Sequence, residues 1–338
     1  MTLLHDRPNL RLATPTAYVV ASAEMQLSQR AEWLKLRQRG IGASDIPAIC
    51  GLDQYTSPLG VYLEKRGEFE RPHTEKLDVS ARFGIYVEPF IANEFTDATG
   101  FDVLDCPGTL ANVDRPWMLA SPDRLLANPH GAGRGPFGVL EMKSRSAYQA
   151  DKWKGGVPPG PALQTQWQLA VTGYECGYVA ALIGNGPFLW FRIDRDETLI
   201  ANLVKIGEEF LGWVRGGTQP PPDASQALAD LLNIRWGHET DPDPIIASPI
   251  AVERWLEQRE QAKAAIKAAE ALVVEAENHL KTIAGKHEVV QVLGETAFTW
   301  KWRKHTDIDR KALREDGLYE QYSTTGKYRQ FDVPKGIQ

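Results

Sequence analysis

The chain has 338 residues, 43% hydrophobic and 24% charged, which excludes wholesale disorder and low-complexity or collagen-like chains and leaves room for one large or two ordinary domains. Its formal net charge of −6 removes any general attraction to nucleic acid, because such binding rests on clustered Lys and Arg displacing counterions; a contact of that kind has to be local. No apolar run approaches the roughly 20 residues of a membrane span, the stretch 17–23 is too short for a secretory signal, and Cys50, Cys106 and Cys176 lack CxxC spacing and read as core thiols, so a cytoplasmic protein with no membrane partner is expected.

Short helices are predicted over Gln29–Gln38, Asp45–Cys50 and Pro58–Arg66, the last with Ser57 as its N-cap. A longer one follows over Ala81–Thr99, where Phe83, Val87, Phe90, Ile91 and Phe95 recur at helical spacing, and Gly100 is a natural stop. Strand-like runs occupy Phe101–Leu104, Thr109–Val113, Trp117–Ala120, Arg124–Ala127 and Gly138–Met142. A helix over Ala162–Tyr174 precedes two more strands, Gly177–Ile183 and Phe188–Ile193, and an amphipathic helix over Glu197–Val214 follows. This order predicts an α/β (α+β) fold with a central mixed β-sheet flanked by helices.

Proline clusters at 220–222 and at Pro242, Pro244 and Pro249 mark breaks. The expected organisation is an N-terminal extension of no evident role at 1–24, a main domain at 25–235, a Pro-rich linker at 236–249, and a C-terminal long helix plus β-hairpin at 250–338. In the last of these, Trp255, Arg259, Ala262, Ile266, Ala269, Val273, Ala276, Leu280 and Ile283 step by alternating four and three residues, and no Gly or Pro interrupts 251–284. A stripe with small Ala at alternate steps packs closely on another element of the chain or on a second copy, so homo-oligomerisation stays open. Glu288–Leu293 and Thr296–Trp302 read as the hairpin, with Gly294 and Glu295 between them. From Thr299 onward nine Lys or Arg stand against six Asp or Glu, interleaved with aromatics that include Tyr322 and Tyr328; nucleic-acid contact and ordinary surface or packing both suit that mixture.

The strongest chemical signal is Ser121-Pro122-Asp123 followed by Glu141-Met142-Lys143, each at the edge of a predicted strand. Alternation puts Glu141 and Lys143 on one face and Met142 on the other. Two acids and an ammonium gathered in this way can hold a hard divalent cation through oxygen ligands while the amine orients a water. Glu88, on the preceding helix, could bring a third carboxylate. Gln164, Gln166 and Gln168 form a run on the later helix, but alternate helical residues turn by about 200°, so they cannot all face one site.

Together with Trp33-Leu34-Lys35-Leu36-Arg37, Ile41-Gly42-Ala43-Ser44-Asp45 and Gly84–Pro89, these segments resemble, in order and over about residues 29–215, the YqaJ-type viral recombinases, relatives of phage lambda exonuclease in the PD-(D/E)xK nuclease superfamily. The resemblance implies a restriction-endonuclease-like core that degrades one strand of linear duplex DNA from a 5′ end using Mg2+, two ions in all, with Mn2+ able to substitute. It further implies metal-binding roles for Asp123, Glu141, Glu88 and the Met142 carbonyl, a catalytic Lys143, an active-site glutamine at Gln166 or else Gln164, and a 5′-phosphate pocket of Arg37 and Ser44. Partners would be double-stranded DNA ends and a phage single-strand annealing protein. Two rivals remain at this stage: an endonuclease or nickase with the same metal site, and a noncatalytic DNA-end-binding or assembly protein.

Overall fold

The computed structural model describes residues 11–69, 75–129, 135–236, 241, 243–324, 331 and 333. Two units divide the chain, Met1–His238 and Glu239–Gln338. The first runs β1 (Ala17–Ser22), α1 (Ala23–Ser28), α2 (Arg30–Arg37), β2 (Ile41–Gly42), α3 (Ile46–Ile49), α4 (Pro58–Arg66), α5 (Glu75–Thr99), β3 (Asp102–Asp105), β4 (Gly108–Asn112) and β5 (Met118–Ala120). It continues with β6 (Arg124–Ala127), β7 (Gly138–Arg145), α6 (Pro159–Thr172), β8 (Cys176–Ile183), β9 (Phe188–Asp194), α7 (Glu197–Gly216) and α8 (Gln226–Trp236).

The strands form two sheets, one in the order β3-β6-β7-β8-β9 and one in the order β1-β4-β5-β2. In the first, β7 and β8 run parallel and the other neighbours antiparallel, so the sheet is mixed. A parallel pair cannot be closed by a tight turn, and α6 is the helix in the crossover from β7 to β8. Alternation along β7 then feeds both faces. Leu140 and Met142 pack with Ile91 and Phe95 of α5, whereas Val139 packs with Leu169 of α6 and Ile200 of α7. The expected helix-flanked mixed sheet is what the chain builds. A Cβ on Gly207 of α7 would come within 2.8 Å of the Trp167 ring of α6, so a glycine lets these two helices close up.

Several boundaries differ from the sequence expectation. Residues 17–22, assigned there to an extension without a role, are β1, paired antiparallel with β4 from Ala17 opposite Asn112 to Ser22 opposite Gly108. The long helix starts at Glu75 and contains Pro89, and Gly100 follows it with φ 73°, the left-handed geometry expected of its stop. Helix α8 was not anticipated: it lies between the two proline clusters, at the end of the expected main domain, and it is held by burial of Ala227, Leu228 and Leu231.

The second unit comprises α9 (Pro249–Ala284), β10 (Val289–Val292), β11 (Glu295–Thr299) and α10 (Arg310–Glu315). The hairpin turns at Leu293-Gly294, with φ 52° and 87°, one residue earlier than expected. Two positive φ angles match the right-handed strand twist. Tyr328 of the aromatic-basic tail lies outside the described residues. Among the described residues no helix is long and apolar enough to cross a membrane.

Candidate active site

Asp123 stands one residue before β6, whose antiparallel pairing sets Arg124 opposite Leu140 and so brings Asp123 beside Glu141 and Met142. Its Oδ2 accepts a hydrogen bond from the Met142 backbone N–H at 2.6 Å. Glu141 is 2% exposed and points toward α6, on the face opposite the Met142 side chain. A carboxylate so buried needs donors around it. Lys143 Nζ and Gln164 Nε2 (2.7 Å) donate to its Oε1, and Gln168 Nε2 (2.6 Å) donates to its Oε2. Lys143 Nζ also donates to Gln164 Oε1 at 3.1 Å, so amide, ammonium and carboxylate form a closed set.

The negative charge of this region is under-compensated. Burial pushes the Asp123 carboxyl up to about 8, and the nearby Glu141 and Glu88 carboxylates add to the rise, while Lys143 and the Met142 N–H offset only part of it. Glu88, on α5, is also raised above the ordinary carboxylate range, first by burial; Arg124, 3.7 Å away, pulls against that, and Glu141 adds repulsion. No three acidic, histidine or cysteine side chains among the described residues are close enough to enclose a metal as they stand. The donor chemistry of Asp123 and Glu141 nevertheless fits a hard divalent cation: two carboxylates, excess negative charge, and beside Glu141 the buried Gln168 Oε1 with no hydrogen-bond partner.

A second polar cluster involves α2, α4 and the single helical turn at 43–45. Arg37 Nη2 donates to Ser44 Oγ at 2.9 Å and to Asp45 Oδ1 at 3.2 Å, and its guanidinium lies over the Trp33 ring, 5.0 Å from the centroid. Lys65 Nζ, reaching in from α4, lies 2.5 Å from Asp45 Oδ2 and donates to the Arg37 carbonyl at 2.9 Å. The Gly42 N–H caps the same Oδ2 at 2.7 Å. Two cations thus share one carboxylate. Burial raises Asp45, but Lys65 and Arg37 together hold it below its usual value; Lys65 is itself lowered, by burial first, with Arg37 also pushing it down against the pull of Asp45. The two shifts agree on one point, a positive charge in excess. Arg37 keeps 28% of its side chain exposed and can meet a ligand.

A hydrogen-bonded chain runs between the two regions, from Trp33 beside Arg37 to Ser121 near Asp123. Trp33 Nε1 donates to Thr109 Oγ1 at 2.9 Å, and Thr109 Oγ1 lies 2.9 Å from Ser121 Oγ, two residues before Asp123.

The structure therefore brings Asp123, Glu141 and Lys143 together with Glu88 within electrostatic reach, and it brings Arg37 to Ser44. Gln166 is a correction. Its Nε2 donates to the Asp194 carbonyl at 2.7 Å and its Oε1 accepts from the Asp196 N–H at 3.1 Å, so it ties α6 to the end of β9 and the start of α7. The glutamines that bond Glu141 are Gln164 and Gln168. Their spacing of four puts them on one helix face, and Gln166 lies about 200° away from each. Lys65 was missed altogether, and Asp45 was quoted without a role. The spacing of Gln164 and Gln168 was a usable signal; nothing local marks Lys65, which reads as an ordinary basic residue in a last helical turn.

Residues 32–175 match the YqaJ-like viral recombinase domain family, a span that contains both clusters. Over 316 residues the chain is 31% identical to a Bacillus subtilis (strain 168) protein named Uncharacterized protein YqaJ, with 90% of this chain and 94% of that one covered. The chain belongs to the YqaJ family. Among solved structures, this YqaJ-family chain is similar to an alkaline exonuclease (LHK-Exo) from Laribacter hongkongensis, with TM-score 0.45 and 21% identity over 56% of this chain and 94% of that one. It is also similar to a phage related exonuclease from Haemophilus somnus 129PT, with TM-score 0.38 and 10% identity over 53% of this chain and 96% of that one.

Proposed function

We propose that this YqaJ-family protein is a metal-dependent exonuclease that shortens one strand of linear double-stranded DNA in the 5′-to-3′ direction, acting in the cytoplasm and leaving 3′ single-stranded tails for a phage-type annealing partner. One observation carries the reading: a single unit holds an anionic, amine-bearing cluster around Glu141 and a cationic cluster around Arg37, with Thr109 bonded toward both. A phosphodiester end and a divalent cation have the complementary charges.

Asp123 and Glu141 would hold Mg2+, with Glu88 and the Met142 carbonyl as the remaining oxygen donors. When bound, the ion supplies a water activated near neutral pH and charge relief for the departing oxygen. The chain's own groups do the rest. Lys143, fixed by Gln164, presents an ammonium beside the carboxylates to orient the attacking water, and Gln168 fixes the second oxygen of Glu141. Arg37 and Ser44 offer charge-assisted donors to a terminal phosphate, which selects ends without reading bases.

The test is purified full-length protein with Mg2+ on three substrates: linear duplex with a 5′ phosphate, the same duplex with a 5′ hydroxyl, and closed circular duplex. Shortening of the phosphorylated duplex, slower shortening of the hydroxyl form and an untouched circle are expected. Cutting of the circle would make the site that of an endonuclease or nickase, and inertness toward all three would leave a DNA-end binder.

A further inference from the structure

Thr109, on β4, is 1% exposed, yet three polar atoms meet its hydroxyl: Gln26 Nε2 at 2.7 Å, Trp33 Nε1 at 2.9 Å and Ser121 Oγ at 2.9 Å. Valine would suit the same place in a buried strand, so the hydroxyl is what sets this residue apart. A hydroxyl has one proton and two acceptor lone pairs, whereas an indole N–H or an amide NH2 can only donate. The count has one solution: Trp33 and Gln26 take the two lone pairs, and the single proton goes to Ser121.

That arrangement bears on Arg37. Among the described residues its side-chain hydrogen bonds all run through Nη2, to Ser44 and Asp45, which leaves the edge formed by Nε and Nη1 open to a ligand. One pinned nitrogen does not fix the plane of a guanidinium; the stack on the Trp33 ring supplies the missing constraint. Trp33 is itself only half-buried, so packing alone does not fix its ring, and the bond from Nε1 to Thr109 completes the constraint. We propose that Thr109 is a positioning residue for recognition of a 5′-phosphorylated DNA end: its hydroxyl sets the Trp33 ring, and the ring sets the open edge of Arg37. The inference rests on the end-recognition reading above and adds to it a residue that touches neither DNA nor metal.

The test is binding of the full-length protein to a hairpin duplex with one open end, labelled in its loop and followed by fluorescence anisotropy in EDTA. The open end carries a 5′ phosphate or a 5′ hydroxyl, and the wild type should prefer the phosphate. T109V keeps the side-chain shape without the hydroxyl and should lower that preference about tenfold, with affinity for the hydroxyl end unmoved. T109S should restore the preference to within about twofold of wild type. W33F cuts the same bond from its other end, which keeps the test open if T109V does not fold. It should match T109V, and T109V/W33F should be no worse than either to within about twofold, because only one bond is there to lose. A wild-type preference in T109V or W33F would overturn the proposal. Additive losses in the double variant would overturn it too, as would a T109S as poor as T109V, which would make packing of the methyl the cause. A wild type without any preference would instead sink the end-recognition reading, and this inference with it.

Discussion

Asp45 and Asp123 are both tucked acidic side chains with lysine nearby, yet their surroundings push them in opposite directions. Asp45 is one carboxylate between Lys65 and Arg37 and is held below its usual range; Asp123 shares its neighbourhood with Glu141 and Glu88 and is driven up to about 8. In the first region two cations share one carboxylate; in the second, burial and two neighbouring carboxylates outweigh the one nearby ammonium. Stability alone would favour neutralising both, as buried charges left unbalanced cost free energy. That the chain carries the two imbalances in one unit is what the proposed site, for an anionic substrate end and a metal cation, would require.

The largest expected effect comes from breaking the anionic side. Lys143→Ala removes the ammonium next to Glu141 but leaves the two glutamine amides that hold that carboxylate, so single-turnover cleavage should fall by about a thousandfold while the far-ultraviolet spectrum and DNA-end binding persist. Turnover within a few-fold of wild type would take Lys143 out of the chemistry.

Next comes the cationic side. Asp45→Asn leaves Lys65 buried, 5% exposed in its side chain, opposite a neutral amide. A loss of about 3 kcal/mol in urea unfolding is expected, the usual consequence of stripping one partner from a buried pair. The pH dependence has a definite sign. A carboxyl whose folded value is depressed contributes its full stability above its unfolded value, near 3.8, and loses it as pH falls through the folded value. The wild type should therefore weaken below about pH 4 more steeply than Asp45→Asn. Lys65, also lowered in the folded state, has the same sign at the alkaline end: stability rises as pH climbs through its lowered folded value, because the cost of keeping it charged is relieved. Parallel acid limbs for wild type and variant would show that Asp45 is not held as described.

A smaller effect separates end recognition from chemistry. Arg37→Ala removes the only one of the two cations that is exposed enough to meet a phosphate, at 28% against 5%. The preference for 5′-phosphorylated over 5′-hydroxyl ends should shrink by about 2 kcal/mol, or roughly thirtyfold, mostly in KM, with kcat on pre-bound ends little changed. An unaltered preference would place the phosphate elsewhere.

How much of this was legible in the sequence follows the range of the interactions involved. Ser57 caps α4 through a bond to the Gly60 N–H, and Gly100 ends α5, because both are decided within a few residues. Glu141, Met142 and Lys143 fell on the expected faces because strand alternation is local. Strand β1 was missed because Ala17–Ser22 is short, and only pairing with β4, some ninety residues on, makes it a strand. Lys65 was missed for the same reason: only the approach of α4 to the turn at 43–45 gives it Asp45. The glutamines were lost by phase, since a run at alternate positions says that its members diverge but not which of them faces inward.

That phase error sets up the smallest and sharpest prediction. Gln166→Ala deletes the two bonds to the Asp194 carbonyl and the Asp196 N–H, far around the helix from Glu141, and should cost about 1 kcal/mol of stability with kcat unchanged. Gln168→Ala removes the donor to Glu141 Oε2, and Gln164→Ala the one shared by Glu141 and Lys143; both should lower kcat. Because Gln166 and Gln168 are both buried and only two positions apart, general damage to α6 would move their activities together. A split, with Gln166→Ala losing melting temperature alone and Gln168→Ala losing turnover, follows only if α6 presents residues 164 and 168 to the carboxylates; an active-site role for Gln166 requires the reverse.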